Sequence, residues 1–259
     1  MNETYVRLVR KGTEKWNSWR SKNPTIRPNL RGENLGAVDL AGANLRNSDL
    51  ANADLREADL SRANLNCANL DGATLERAKL VRANLDGASV VAASLRGADL
   101  SHAHLRNTTL RGTDLGGARL LRTDFYRADL YQCQLDAVDA ASVSLLQANL
   151  KGASIRKAKL VAADLTGAIM VGSDLAETNL SRAIASGADL QEADLHGSDL
   201  SQCDLSGANL YAARMQNANF RLAATSKPEG CRFYWCRFER GEFDRRRPRA
   251  SESNSRQSF

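Results

Sequence analysis

The hydrophobic residues of this chain recur at a fixed interval of five over most of its length. Every fifth residue from Leu30 to Phe220 is a central position, and Leu occupies 31 of these 39 positions. The exceptions are Val90, Phe125, Ala140, Ile155, Met170, Ala185, Met215 and Phe220. The residue two before a centre is small except at Pro28 and Glu33, and the residue just before a centre is Asp or Asn in 25 cases. This register predicts one uninterrupted repeat array over residues 28–220.

A period of five fits neither an α-helix nor a straight strand. The leucines would wind around all sides of a helix, and they would alternate between the two faces of a strand. All centres can point inward only if the chain turns a corner every five residues. Thirteen of the 18 glycines lie two residues after a centre, and glycine tolerates the positive φ that tight corners need. The sequence therefore predicts a square solenoid with Leu and small residues stacked inside.

The recurring motif A-[D/N]-L-x-x, as in ANLDGATLERAKLVRANLDGA, closely resembles the pentapeptide repeat family. The resemblance implies a right-handed quadrilateral β-helix with 20 residues in each coil, and so about 10 coils for this array. Outward charges agree with this coil length. Two sets alternate in sign at 20-residue steps: Asp59, Lys79, Asp99, Arg119, Asp139 and Lys159, and then Arg56, Glu76 and Arg96.

Residues 1–27 precede the array and have a helical pattern. Tyr5, Leu8, Val9, Gly12, Trp16 and Trp19 fall on one face of a helix predicted over residues 3–20. Pro24 ends the helical region. We interpret this amphipathic helix as an N-terminal α-helical cap on the first coil, because an open solenoid end exposes core and unpaired strand. The alternative is a free helix that binds a membrane or a partner.

The C-terminal part departs from the register. We predict a loop over 221–230 and then three Phe-type pentapeptides in a shifted register over 231–243, CRFYWCRFERGEF, which close the C-terminal end. A single C-x₄-C pair does not favour zinc. Tyr234 and Trp235 would point outward, and they are our candidate end-to-end contact for a homodimer. Residues 244–259 form a basic, Ser-rich tail that we expect to be disordered.

Charge and composition narrow the class of function. The net charge of +6 hides an array with 19 Lys and Arg against 23 Asp and Glu, flanked by two basic ends. We therefore expect no direct nucleic-acid binding, except weakly through the tail. No apolar run is long enough to span a membrane, and the start lacks a signal-peptide pattern. These features and scattered cysteines favour the cytoplasm.

No constellation of residues in the sequence indicates catalysis, and we predict no enzyme activity, cofactor or metal. His102 and His104 lie close together in SHAHL but lack further ligands nearby. Cys133 and Cys203 occupy the small inward phase, whereas Cys67 lies at an outer corner.

Two outward groups are candidate binding surfaces. The first is a basic column at one corner, which Glu57 and Asp99 could instead neutralise: Arg62, Arg82, His102 and Arg122. The second is an apolar patch near the middle of the array: Leu121, Tyr126, Tyr131 and Leu146. We predict a non-enzymatic scaffold that binds an unidentified protein partner.

The resemblance also implies an alternative function. Some pentapeptide repeat proteins mimic DNA at DNA gyrase or topoisomerase IV and protect against quinolones. The Leu-rich centres and weak acidity of this array differ from the pattern of those proteins, so we expect no protection of gyrase.

Overall fold

The structure is a computed structural model that describes residues 2–225. It has two N-terminal helices, α1 (Asn2–Arg10) and α2 (Thr13–Lys22), and two short parallel strands, β1 (Asp204–Leu205) and β2 (Ala224–Thr225). Between the helices and β2, most chain pairing consists of isolated parallel bridges.

These bridges join each outward residue before a centre to the residue 20 positions later. Asn44 pairs with Asn64, for example, and Asn64 pairs with Asn84. Bridge positions recur every five residues, so each stretch of 20 residues carries four of them and the array has four faces. The 20-residue offset agrees with the one that the alternating outward charges indicate.

The corners lie two residues after each centre, as the glycine pattern predicts. The 13 glycines at this phase have φ between 63° and 68°. The 26 other residues at this phase, among them Arg62 and Ala162, share the same left-handed conformation, with φ between 52° and 62°. This conformation is strained for non-glycine residues, because their Cβ atom crowds the following carbonyl oxygen. Backbone hydrogen bonds between successive coils offset that cost, as in the bond from Arg62 N to Val81 O at 2.9 Å.

The interior is a stack of large and small apolar side chains. The centres and the small residues two before them are almost all buried, and together they form one continuous core. The Leu stack is interrupted at Ala140, where an apolar cavity of about 10 Å³ is lined by Leu120, Phe125 and other core residues. The sequence indicates this thinning, because alanine stands there in place of leucine.

The N-terminal segment forms two helices in place of the single one predicted over residues 3–20. Gly12 separates them with a φ of 100°, and its amide bonds to Val9 O at 3.0 Å in the turn that ends α1. Glycine commonly ends helices because it adopts positive φ without a Cβ clash. The helices together still bury the predicted apolar face, with Val9 and Trp16 fully enclosed.

Side chains of the two helices bond to backbone groups of the first coil. Trp16 Nε1 donates to Asn44 O at 2.8 Å, and Arg20 donates to Arg46 O at 2.9 Å. Asn17 accepts from Asn44 N at 2.7 Å. In later coils the equivalent groups bond to the preceding coil, which the first coil lacks. The contacts therefore fit a cap on the N-terminal end.

The repeat pattern extends past Phe220 into the segment for which the sequence predicts a loop, 221–230. Leu222 has the positive φ of a corner, and β2 pairs with β1 at the usual 20-residue offset. The Phe-type pentapeptides predicted at 231–243, with Tyr234 and Trp235, lie outside the described residues. So does the predicted tail at 244–259.

Candidate functional site

The outward side chains of this fold stand in rows that run along the rod. One row begins at Asn44 and continues through bridge partners at 20-residue steps, and we call it the Asn44 row. Its members up to the start of β1 are Asn44, Asn64, Asn84, His104, Asp124, Ser144, Asp164, Ile184 and Asp204. At an inter-strand spacing of ~4.8 Å, the eight steps from Asn44 to Asp204 cover about 38 Å. One partner could contact the row along that length.

Many outward Asp and Asn side chains are engaged in holding the corners. The carboxylate of Asp54, for example, accepts the backbone N–H of Arg56 at 3.1 Å, and Asp124 accepts that of Tyr126 at 3.0 Å. This contact, from a side chain to the N–H two residues later, is an Asx turn. These residues therefore have a structural role in the repeat, as their phase before the centre indicates.

The basic column (Arg62, Arg82, His102 and Arg122) lies at the corner that precedes the Asn44 row. Its three arginines are exposed and His102 is half-buried. Arg62, Arg82 and His102 line a shallow groove together with Ala41, Gly42, Ser61 and Val81. Small neighbours keep the floor of the groove low, so the basic side chains form its most prominent features.

The acids that could neutralise the basic column are paired elsewhere. Glu57 lies 3.7 Å from Arg77, and Asp99 lies 3.5 Å from Arg119. Within the described residues, no carboxylate lies within 4.0 Å of Arg62, Arg82 or Arg122. The described part of the chain therefore has no direct ion pair that would neutralise these arginines.

The four residues of the predicted apolar patch do not form one surface. Leu121 lies at the corner before the Asn44 row, and Tyr126 and Leu146 lie at the corner after it. Tyr131 lies one corner further round, ten residues and therefore half a coil from Leu121. All four are half-buried, and the Arg127 guanidinium covers the Tyr126 ring at 5.1 Å. Three of the four thus flank the same row, while Tyr131 does not.

Two exposed isoleucines, Ile169 and Ile184, lie near Leu146 of the predicted patch. They are 44% and 48% exposed. They lie on neighbouring faces, on either side of the corner with Gly167 and Gly187, in the same corner column as Leu146. We call Leu146, Gly167, Ile169, Ile184 and Gly187 the isoleucine corner. Sequence reasoning missed it, although both isoleucines occupy the outward phase that usually holds Asp or Asn.

The remaining residues that could bind a metal or react as nucleophiles do not cluster within the described part of the chain. Across residues 2–225, no group of three or more His, Cys, Asp or Glu side chains could hold a metal ion. Burial raises the pKa of the Cys133 and Cys203 thiols to about 12, which suppresses their reactive thiolate form. Cys67 is exposed. No helix in the described region is long and apolar enough to cross a membrane.

This geometry defines a class of protein, a β-solenoid of five-residue repeats. Pentapeptide repeats match in eight copies, within segments 39–77, 68–107, 103–139, 133–172, 158–197 and 188–223. The chain therefore belongs to the pentapeptide repeat family, whose members adopt a right-handed quadrilateral β-helix.

Solved structures include similar proteins. HetL, a pentapeptide repeat protein involved in heterocyst differentiation regulation from the cyanobacterium Nostoc sp. strain PCC 7120, is 31% identical, with a TM-score of 0.63. The match covers 83% of this chain and 97% of HetL. QnrB1, a plasmid-mediated fluoroquinolone resistance protein, is 18% identical over 78% of this chain and 92% of its own, with a TM-score of 0.33. No curated protein sequence matches this chain.

Proposed function

We propose that this chain is a non-enzymatic scaffold that binds a protein partner through the outward side chains of its rod. The observation that carries the proposal is the isoleucine corner. Ile169 and Ile184 stand 44% and 48% exposed at positions where the repeat usually places Asp or Asn. Folding of the repeat does not need them there, because the polar residues at the other outward positions form the same bridges.

The surroundings of the two isoleucines suit close contact with another protein. Gly167 and Gly187 each remove one side chain from this corner, so a partner can come closer to the backbone there. The half-buried Leu146 side chain adds apolar surface at the same corner column. Clusters of exposed apolar side chains with a polar border are typical of protein interaction sites.

The similarity to HetL supports a role in binding. HetL is described as involved in the regulation of heterocyst differentiation, and a regulatory role fits a protein that acts through its partners. A cytoplasmic location and homodimerisation stay predictions from the sequence.

A pull-down from an extract of the source organism tests the scaffold proposal. The double variant Ile169→Asp/Ile184→Asp should lose a partner that the wild type retains, because two charges would have to be desolvated at the contact. Ile26→Asp is the matched control, since Ile26 is also exposed and lies at the opposite end of the rod. Retention of the same proteins by all three forms would remove the isoleucine corner from the proposal.

We do not propose DNA mimicry at gyrase, because the outward surface combines its carboxylates with unpaired arginines. In a supercoiling assay with a fluoroquinolone, we expect no protection by this protein. Protection of supercoiling at a stoichiometric amount of this protein would instead support DNA mimicry at gyrase.

A further inference from the structure

We propose that the basic column of Arg62, Arg82, His102 and Arg122 is a docking site for an extended acidic segment of a protein partner. This binding mode rests on the proposed scaffold function and gives its partner a chemical character. It uses a different surface from the isoleucine corner, at the corner on the other side of the Asn44 row.

The arginines of the column differ from the other basic residues around them. Residues 50–130, all of them described, contain 11 Lys and Arg. Seven of these side chains have a carboxylate within 4.0 Å: Arg56, Arg77, Lys79, Arg96, Arg106, Arg111 and Arg119. Arg127 bonds instead to Gln147 Oε1 at 2.8 Å. The three that remain are the arginines of the column.

The stacking of these like charges is unfavourable for the isolated protein. Arg62 and Arg82 are separated by one coil. Backbone hydrogen bonds hold both in register, from Arg62 N to Val81 O at 2.9 Å and from Arg82 N to Ser101 O at 3.0 Å. Like charges on directly neighbouring positions of a sheet destabilise it. Asp59 and Lys79, by contrast, are opposite charges on successive coils and pair at 3.9 Å. A column of stacked arginines without ion pairs is therefore more simply explained by an anionic ligand than by folding.

The length of the column matches a short extended peptide. From Arg62 to Arg122 there are three coil spacings, about 14 Å at ~4.8 Å each. In an extended chain, alternate side chains point to the same side and recur every ~6.8 Å, so three alternate acids also span about 14 Å. Long arginine side chains can take up the small differences in spacing.

The surroundings of the column favour a peptide over a nucleic acid. Carboxylates flank it on both sides, with Asp59 and Asp99 on the preceding face and Asp124 on the Asn44 row. A wide double helix would bring its phosphates close to these acids, whereas a narrow strand in the groove would not. The groove is lined by Ala41, Gly42, Ser61, Val81 and the basic residues, so it lacks the Phe, Tyr or Trp platforms on which single-stranded bases stack.

The test measures the anisotropy of a fluorescein-labelled peptide that alternates glutamate with serine, using the full chain. The wild type should bind this peptide, with affinity that falls as salt is raised. The variant Arg62→Gln/Arg82→Gln/Arg122→Gln should bind about tenfold more weakly or worse. The variant Arg96→Gln/Arg106→Gln/Arg111→Gln removes the same charge from paired arginines and should retain wild-type affinity. Thermal melts of both variants establish that they are folded.

Several results would overturn the proposal. One is equal binding by the wild type and both variants, or equal binding of a peptide with glutamine in place of glutamate. Another is tighter, column-dependent binding of single-stranded or duplex DNA of matched charge, which would assign the column to nucleic acid. Self-association that only the column variant abolishes would assign it to a second copy of the chain. The peptide test uses a defined probe, so its result is independent of the pull-down. Either experiment can fail while the other succeeds, and the two proposals can be told apart.

Discussion

The indole nitrogen of Trp16 donates a 2.8 Å hydrogen bond to the backbone carbonyl of Asn44. In later coils the equivalent carbonyl accepts from the preceding coil, as Asn64 O does from Leu45 N at 2.8 Å. The indole thus replaces the missing backbone donor at the start of the array. The same side chain is fully buried. It therefore covers the core and also pairs with a backbone carbonyl at the open edge of the first coil.

The first prediction concerns this contact. Trp16→Phe keeps an aromatic ring but removes the donor, which leaves the partly buried Asn44 carbonyl without this partner. We expect a loss of about 1–3 kcal/mol in the free energy of unfolding, measured by chemical denaturation. Hydrogen exchange should also accelerate in the first coil more than in later ones. Trp19→Phe is the control, because Trp19 is only half-buried and packs against Tyr5 and Trp16. Equal losses in both variants would contradict this role for the indole.

The second prediction uses two adjacent alanines with opposite orientations. Ala162 is an exposed corner with a φ of 54°, whereas Ala163 is inward and fully buried. Ala162→Gly removes about 1–2 kcal/mol of left-handed strain but adds an entropy cost of about 0.5–1 kcal/mol, so stability should stay constant or rise slightly. Ala163→Gly should lower stability by about 1–2 kcal/mol, since it loses a buried methyl as well.

Thermal or chemical unfolding of the two variants makes the comparison, with the wild type as reference. Ala162→Val extends it, because a β-branched side chain tolerates positive φ poorly and should destabilise the corner. A clear loss of stability in Ala162→Gly would show that the positive φ at this corner carries no strain.

The orientation of each residue could be predicted from sequence because the five-residue phase decides it. Leu85 and Ala83 point inward and Arg82 lies at a corner, and these assignments follow from position in the motif alone. The 20-residue offset could likewise be predicted, because the outward charges alternate in sign at 20-residue steps. A short repeat fixes backbone direction so tightly that few alternatives remain.

Contacts between long outward side chains could not be predicted in the same way. The alternation of Arg56, Glu76 and Arg96 suggests mutual pairing, but Arg56 bonds to Asp54 and Arg96 bonds to Asp114. An arginine at a corner can reach carboxylates at several offsets along the chain, and the best geometry decides between them. The separation of Leu121 from Tyr131 was missed for a related reason, since neighbours in sequence occupy different corners.

The third prediction concerns the ion pair of Asp54 with Arg56. Arg56 donates to both carboxylate oxygens, at 2.9 and 2.6 Å, and these side-chain bonds hold the pKa of Asp54 at about 2. Because this pKa is lower in the folded chain than in the unfolded one, the pair's contribution to stability is present above pH ~4 and is lost as the pH falls toward ~2. Arg56 is exposed, so solvent screening keeps this contribution small.

An NMR titration of the Asp54 carboxyl carbon measures the effect directly. In Arg56→Gln the pKa of Asp54 should rise toward its ordinary value, and the acid dependence that comes from this pair should disappear. Arg77→Gln serves as control, because Arg77 pairs with Glu57. An unchanged Asp54 titration in Arg56→Gln would show that the backbone N–H alone sets the pKa.

The fourth prediction distinguishes the exposed thiol from the buried ones. Burial raises the pKa of Cys133 and Cys203 to about 12, so at pH 8 only about 10⁻⁴ of each is the reactive thiolate. Cys67 is exposed and should react first with a thiol-specific reagent. The experiment uses a background of Cys231→Ser/Cys236→Ser, which leaves these three cysteines. One thiol should react rapidly in the native protein and two more only after denaturation. Adding Cys67→Ser should abolish the rapid phase, and a rapid phase that persists would mean that the solenoid opens at an inward thiol.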